Sequence, residues 1–495
     1  MNYVIDSNQA QYADNFTIKK LKIKSIDLME EAGKKIFLSL KKEIKQEDKI
    51  LIVCGSGGNG GDGYVLARYL YDNKYNVSIF ITSEAKKEET IKNFKKFKGR
   101  IVNNLKDTYD VIVDAIYGVG FDYELTNEMT QIINTLNKKK SLKVSIDVPS
   151  GLNSSNGEVK KVAFKANIIY TIQFLKLGFY LGDGQRYFEK ISLIDIGIKS
   201  DKISEFCRVF DKKDYKNLVS KRDKISNKGT YGRCAIIGGC LTYSGAPILS
   251  EHALSILRVG AGYSTLCIPD KLYKLYALRN LENTYVLLNS NDDGNIIFDQ
   301  NKINGLLKYD AIAIGMGLGV SKEVYKTIEY LLNNYKGRLL IDADGLNSLA
   351  KYGVDILKKH QCDVILTPHI LEFARLINNK NTKDVIYNSL SLVKEFSKKY
   401  NVYLVLKSNT SLICKNEDVI LNINGNPCLA KGGSGDVLSG IILGLIPKTN
   451  DLLKSIAFGC YILGRSADLC VEKIHENSVL ASDVIKKISD TLKEI

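Results

Sequence analysis

AKGGSGDVLSGI, residues Ala430 to Ile441, runs a glycine-rich turn straight into an apolar helical pattern. Gly432, Gly433 and Gly435 permit backbone geometries that a Cβ disfavours, and Asp436 sits where a helix should begin. Val437, Leu438, Ile441 and Ile442 then recur at the spacing of a buried helix face. Free N–H groups and the positive end of the helix dipole face any anion held at such a start. A carboxylate beside that anion hole is equipped to deprotonate a hydroxyl while it attacks a phosphoryl group. A glycine cluster alone is usually a turn, whereas the G-x-G-D order with a helix behind it points to phosphoryl chemistry.

Around this segment the second half alternates strands and helices. Strand-like runs fall at Cys234–Gly238, Ser264–Ile268, Ala311–Ile314, Leu339–Ile341, Val364–Leu366 and Tyr403–Leu406, with a helix expected at Ala246–Val259. The first half repeats the pattern with runs at Lys49–Cys54, Val77–Thr82, Val111–Ala115, Lys143–Val148 and Ile168–Ile172. Helical patterns at Ser25–Leu40, Asp62–Asp72 and Glu88–Phe97 separate or precede them. Short strands spaced by helices predict α/β domains with parallel sheets covered on both faces. The lysine-rich stretch Asp201–Asn227 loosens the pattern, which places the joint near residue 214 and gives domains 1–214 and 215–495.

Composition narrows the class. A chain of 495 residues with 45% hydrophobic and 25% charged content is ordinary globular protein of more than one domain. No apolar run is long enough to span a membrane, and the start MNYVIDSNQAQYAD lacks the apolar core of a signal peptide. Ten cysteines without any C-x-x-C pair and four scattered histidines fit reduced thiols in a cytoplasm. The net charge of +15 comes from lysines spread along the whole chain, such as Lys19, Lys20, Lys22 and Lys24. That spread reads as solvated helix faces with affinity for anionic ligands, so neither nucleic acid nor membrane is an expected partner.

In the first half, three polar loops follow strands: GSGGNGGDG (Gly55–Gly63), DAIYGVG (Asp114–Gly120) and DVPSG (Asp147–Gly151). Loops that follow parallel strands gather at one sheet edge, where open α/β folds bind ligands. Asn59, Asp114 and Ser150 would bring side-chain oxygens suited to a hard cation there. Asp147, two residues before Pro149, stands as an acid or base.

The ordered motifs LMEEAG (Leu28–Gly33), GSGGNGGDGYVLAR (Gly55–Arg68), VDAIYGVG (Val113–Gly120) and SIDVPSGLN (Ser145–Asn153) resemble the NAD(P)H-hydrate epimerase family over nearly the whole first half. The resemblance implies a Rossmann-like three-layer domain and a potassium ion bound through Asn59, Asp114 and Ser150. It implies a hydrated dinucleotide held by Gly58, Asn59, Gly60, Gly61 and Asp62, by the loop Gly118, Val119 and Gly120, and by Asp147. Ser56 and Gly58 depart from the proline and asparagine usual in the family. The substrate is a carbinolamine, so protonating its hydroxyl lets the ring nitrogen expel water, and re-addition to the other face inverts the centre. One carboxyl, Asp147, can serve both steps.

The second half carries KGTYGRCAIIGG (Lys228–Gly239), YSGAPILS (Tyr243–Ser250), LRVGAGYSTLCIP (Leu257–Pro269) and AIGMGLG (Ala313–Gly319). DADGLNSL (Asp342–Leu349), TPHILEFARL (Thr367–Leu376), VLKSNTSLI (Val405–Ile413) and NGNPCLAKGGSGDVLSGI (Asn424–Ile441) follow in order. Together they resemble the ADP- or ATP-dependent NAD(P)H-hydrate dehydratase family, which implies a ribokinase-like α/β domain. The resemblance implies substrate contacts at Ala246, Gly317, His369 and Asp436. It implies nucleotide contacts at Lys407, Ser408, Asn409, Thr410, Ser411 and Gly435, with Mg²⁺ at the phosphates. Asp342 and Asp344 follow a strand and stand behind the site or on its magnesium side. Ile370, Leu371, Ser408 and Cys428 depart from the family's pattern, Ser408 by adding a side chain to the nucleotide loop.

The expectation is a cytoplasmic, homo-oligomeric bifunctional enzyme acting on small molecules. Its first module interconverts R and S hydrates of NADH and NADPH, and its second dehydrates the S form with ADP or ATP. Two other readings of the residues remain: a small-molecule kinase with a regulatory first module, and a scaffold whose first module binds RNA.

Overall fold

The computed structural model describes residues 1–218, 222–254, 259–278 and 282–495. The chain divides into two compact units, Asn2–Phe206 and Cys207–Ile495, the latter together with Met1. The expected joint at residue 214 lies inside the second unit, because the strand Cys207–Val209 already pairs with Asp418–Asn422.

The first unit is built on a seven-stranded sheet, parallel throughout. Its strands are β2 (Lys49–Cys54), β3 (Asn76–Ile81), β4 (Arg100–Val102), β5 (Val111–Ala115), β6 (Leu142–Ile146), β7 (Ala166–Ile172) and β9 (Phe188–Ile194). They lie in the order β4-β3-β2-β5-β6-β7-β9, and a short parallel pair, β1 (Asn2–Ile5) with β8 (Leu175–Lys176), stands apart from them. The order turns back between β2 and β5, so right-handed crossovers put Gly58–Asp72 on one face and Asn127–Lys138 on the other. The crevice at that reversal opens at the carboxyl ends of β2 and β5. Fully buried Ile50, Ile52, Val113, Val144 and Ile146 form the sheet's share of the core, under Leu66, Ala67 and Leu70 of the Gly58–Asp72 helix.

Two expectations change here. The glycine-rich segment after β2 is a loop only to Gly57, and the helix begins at Gly58 rather than Asp62. Its glycines serve close packing: a Cβ on Gly60 would stand 2.0 Å from the Gly55 carbonyl oxygen, and on Gly63 2.7 Å from Ala115 Cβ. β6 ends at Ile146 rather than Val148, since Asp147 turns out of the pleat with φ +62°. That left-handed conformation is uncommon for a residue with a Cβ and is commonest in Asn and Asp.

In the second unit the strands are β10 (Cys207–Val209), β11 (Arg233–Ile237), β12 (Tyr263–Pro269), β13 (Thr284–Leu288), β14 (Ala311–Ile314), β15 (Arg338–Ile341) and β16 (Asp363–Leu366). β17 (Tyr403–Leu406), β18 (Ser411–Lys415) and β19 (Asp418–Asn422) complete them. Their order is β13-β12-β11-β14-β15-β16-β17-β18-β19-β10; β17–β18 and β18–β19 pair antiparallel and the other described strand pairs are parallel. The reversal falls between β11 and β14. The helices Ser434–Leu445 and Leu452–Val471 bury Val437, Ile441, Ile456 and Phe458 in the core. The helix expected at Ala246–Val259 spans Gly245–Leu254. Residues 255–258, including two of the LRVGAGYSTLCIP motif, lie outside the described residues. Among the described residues no helix is long and apolar enough to cross a membrane.

Candidate active sites

In the first unit the loops after β2, β5 and β6 meet at the backbone of Tyr117. Asn59 Nδ2 donates to the Tyr117 carbonyl at 2.7 Å, and the Tyr117 N–H donates to Ser150 Oγ at 2.9 Å. Ser150 Oγ in turn donates to Asp114 Oδ1 at 2.6 Å, while its backbone N–H reaches Oδ2 at 2.8 Å. Asn59, Asp114 and Ser150 are therefore one connected group, as the strand-end argument expects. The Asp114 carboxyl is fully buried with no cationic partner among the described residues, and burial pushes it up to about 6 against the pull of its hydrogen bonds to Ser150 and the Ile116 N–H. Asn59 Oδ1 is buried and has no hydrogen-bond partner among the described residues. A lone buried amide oxygen beside an unneutralised carboxylate fits a monovalent cation. Among the described residues there is no cluster of three or more Asp, Glu, His or Cys that could hold a metal ion.

Above this group lies a cavity of about 420 Å³. Gly58, Asn59, Asp62, Gly118, Val119, Gly120 and Asp147 line it, while Gly60 and Gly61 are packed behind the helix start and do not. Asp147 Oδ1 takes the Ile172 N–H at 3.0 Å, the Thr171 hydroxyl at 3.4 Å and the Lys176 ammonium. Lys176 is 2% exposed and also donates to Thr171 Oγ1 and the Ile172 carbonyl. No motif marks this lysine. Its signal was a single lysine inside the apolar run Phe174–Tyr180, where an unpaired ammonium would be costly. Asp62 faces Asp147 and Asp14 across the cavity, and its carboxyl is driven well above the usual range, first by burial and then by those two neighbours.

In the second unit Asp436 occupies the first turn of Ser434–Leu445, a helix entered through Gly433 at φ +94°. Burial, then Asp342, raise its carboxyl to about 7 against the pull of Lys407. The Lys407 ammonium reaches the same turn, 3.3 Å from where a Gly435 Cβ would stand, and pairs with Asp342 Oδ1 at 2.9 Å. His369, beside Lys407 across a parallel bridge, caps the helix Ile370–Leu376. Its Nδ1 accepts the N–H groups of Leu371 and Glu372, while Glu372 returns a bond to the His369 N–H. That leaves Nε2 as the ring's donor. Burial, then Lys407, lower the imidazole pKa. The Glu372 carboxyl is raised to about 7 by burial, and its only signal in the sequence is the capping-box spacing H-x-x-E.

Ala246 and Gly317 come together at the β11/β14 reversal, where a Gly317 Cβ would stand 3.2 Å from that of Ala246. Asp344 accepts the Gly319 N–H at 2.9 Å and so fixes the loop after β14. In the β17–β18 turn Ser408 and Asn409 are exposed, Thr410 is buried and Ser411 half-buried. The Ser408 hydroxyl closes the turn on the Thr410 carbonyl. The side chain that departs from the family's pattern therefore ties down its own loop.

Fold and site define an α/β protein of two ligand-binding units, the second a ribokinase-like domain with an acid at the start of its anion-binding helix. Comparison with known proteins narrows this. The NAD(P)H-hydrate dehydratase family profile matches residues 234–490, and that of the YjeF-related protein N-terminus matches residues 25–178. The bifunctional NAD(P)H-hydrate repair enzyme of Dictyoglomus turgidum is 31% identical over 99% of this chain and 98% of its own length. That of Moorella thermoacetica is 27% identical over 100% and 97%. The ADP/ATP-dependent NAD(P)H-hydrate dehydratase of Bacillus subtilis, co-crystallised with ATP and Mg²⁺, superposes with TM-score 0.50 and 26% identity. The match covers 58% of this chain and 98% of that one. The chain belongs to the family of bifunctional NAD(P)H-hydrate repair enzymes.

Proposed function

We propose that the first unit interconverts the R and S hydrates of NADH and NADPH, and that the second returns the S hydrate to the reduced dinucleotide at the expense of ADP or ATP. The observation that carries this is Asp436, a carboxyl raised to about 7 at the start of a helix whose first turn also receives Lys407. A base of that pKa takes a hydroxyl proton near neutrality. Hydroxide is a poor leaving group and phosphate a good one. As Asp436 takes the proton, the substrate oxygen attacks the terminal phosphoryl of the nucleotide, whose bridging P–O bond breaks to release AMP or ADP; the ring nitrogen then expels phosphate, and loss of a neighbouring proton restores the dihydronicotinamide. The N–H groups of the Ser434–Leu445 helix start and the turn Lys407–Ser411 would hold the phosphates. Mg²⁺, arriving with the nucleotide, would neutralise charge on the transferring group. Ala246, Gly317 and His369 would line the substrate side.

In the first unit Asp147 exchanges protons with the carbinolamine, and the loop Gly118–Gly120 with the Gly58 helix start would hold the dinucleotide. Potassium would be held by Asn59, Asp114 and Ser150, where it would supply charge that Asp114 otherwise lacks. Ten free, buried thiols support placement in a reducing cytoplasm.

Incubation with chemically hydrated NADH and either ADP or ATP tests the reading. Return of the dihydronicotinamide absorbance from both epimers is expected. Accumulation of a stable phosphorylated product would instead make the second unit a kinase.

A further inference from the structure

The first unit's cavity holds a carboxyl that neither the family motifs nor the mechanism above uses. Asp14 sits near the end of the helix Ser7–Asn15 and lines the cavity together with Asp62, Asp147 and Lys176. It comes from the N-terminal helix, outside every strand-end loop. No hydrogen bond or ion pair to Asp14 is found among the described residues, whereas Asp147 is committed on Oδ1 to three donors including the Lys176 ammonium. The two carboxyls therefore differ in kind. Asp147 is an acceptor in a donor-rich pocket, and Asp14 is a half-buried carboxyl facing another carboxylate.

We propose that Asp14 is the proton donor of the epimerisation and that Asp147 is the acceptor. Asp14 gives its proton to the carbinolamine hydroxyl. The carbon–oxygen bond breaks, water leaves, and the ring nitrogen lone pair forms the carbon–nitrogen double bond. Water then adds to the other face of that carbon and loses its proton to Asp147, regenerating a neutral hydrate of inverted configuration. A proton passed from Asp147 to Asp14 through cavity water restores the starting state, so nothing is consumed.

Electrostatics support this division. The Asp14 carboxyl is raised to about 6, first by burial and next by Asp147, with Lys176 and Lys87 pulling the other way. An acid in that range is both protonated often enough and strong enough to donate near neutrality. Asp62 faces the same groups but is driven well above the ordinary carboxyl range, first by burial and then by Asp147 and Asp14. Glu89 is the remaining acid on the cavity wall.

The proposal rests on the epimerase reading of this unit, and the test separates the two. The full chain is given the R hydrate without nucleotide, so that the second unit is idle, and R-to-S conversion is followed by chromatography with the uncatalysed rate subtracted. The unsubstituted enzyme should convert R to S with a rate that falls as pH rises through about 6. If it converts none, the epimerase reading itself fails. Asp14→Asn should slow conversion on the order of 10²-fold and abolish that alkaline fall, while hydrate binding measured by calorimetry persists. Asp14→Glu should recover part of the rate together with a pH limb. Conversion by Asp14→Asn within about threefold of the unsubstituted rate, or an unchanged pH limb in that variant, would overturn the proposal. So would equal inactivity of Asp14→Glu and Asp14→Asn with hydrate binding intact.

Discussion

Lys407 Nζ stands 2.9 Å from Asp342 Oδ1, and the other oxygen of that carboxylate takes the Ser439 hydroxyl at 2.6 Å. The lysine implied as a nucleotide ligand is therefore held in place by a buried carboxylate. The pairing spans β15, β17 and the helix that starts at Ser434, so it fixes the ammonium relative to the N–H groups of that helix. Burial alone would lower the lysine's pKa, yet Asp342 and Glu372 leave it raised and charged.

Lys407→Ala should thus act on stability as well as on turnover. It strands Asp342, whose side chain is 2% exposed, without its cation. Removing one partner of a buried pair costs about 3 kcal/mol or more, partly relieved here by the Ser439 hydrogen bond. Denaturant unfolding should show that loss, and adding Asp342→Asn should recover a substantial part of it. If the double variant is no more stable than Lys407→Ala, the pair does not hold the lysine.

Asp436→Asn keeps the helix start but removes the base, and dehydration of the S hydrate should fall on the order of 10²–10⁴-fold. The pH dependence carries the sign. The base form is needed, so the unsubstituted rate should climb as pH rises to about 7 and level off above it. Ionisation is costly to the folded unit, because the folded pKa is raised. The stabilisation that goes with the protonated form is full below the ordinary carboxyl range and is lost as pH rises through about 7. Asn should flatten that decline in melting temperature. A rate near the unsubstituted level would remove Asp436 from the chemistry.

Asp147→Asn should abolish epimerisation and spare dehydration, since the two residues lie in different compact units. Given an R/S mixture with nucleotide, the variant should rapidly consume only the S portion. Lys176→Met should behave similarly, because it takes away the ammonium that orients Asp147. Loss of both activities by Asp147→Asn would mean that one site serves both reactions.

The alternating pattern of strands and helices was legible because buried parallel strands such as Val111–Ala115 are uninterrupted apolar runs. Strands with mixed exposure were not. Phe188–Ile194 is exposed at Glu189, Lys190 and Leu193, and Thr284–Leu288 is largely open. The hairpin of β18 and β19 hid because an antiparallel pair breaks the strand–helix rhythm. The G-x-G-D acid was readable because glycine and Asp have fixed meanings at a helix start. Lys176, Asp14 and Glu372 owe their importance to what folding places opposite them, and no local spacing records that.

Potassium provides the last prediction, and it tests whether the buried group around Tyr117 is a cation site. Asn59, Asp114 and Ser150 are joined through the Tyr117 backbone, yet among the described residues Asn59 Oδ1 has no partner and Asp114 no countercharge. An oxygen-lined pocket with one formal negative charge suits a weakly hydrated monovalent ion better than magnesium, which keeps its waters. A bound cation would favour the ionised form of Asp114, pulling its pKa below the value of about 6 that burial sets in the protein alone. Stability of the first unit should then rise with potassium concentration, most clearly above that pH, as expected for a ligand of the native state. Asp114→Ala should abolish the potassium dependence of the melting temperature and raise the hydrate concentration needed for epimerisation, with dehydration unchanged. Equal stabilisation of both chains by potassium, or none of the unsubstituted chain when potassium replaces a large organic cation at constant ionic strength, would end the assignment.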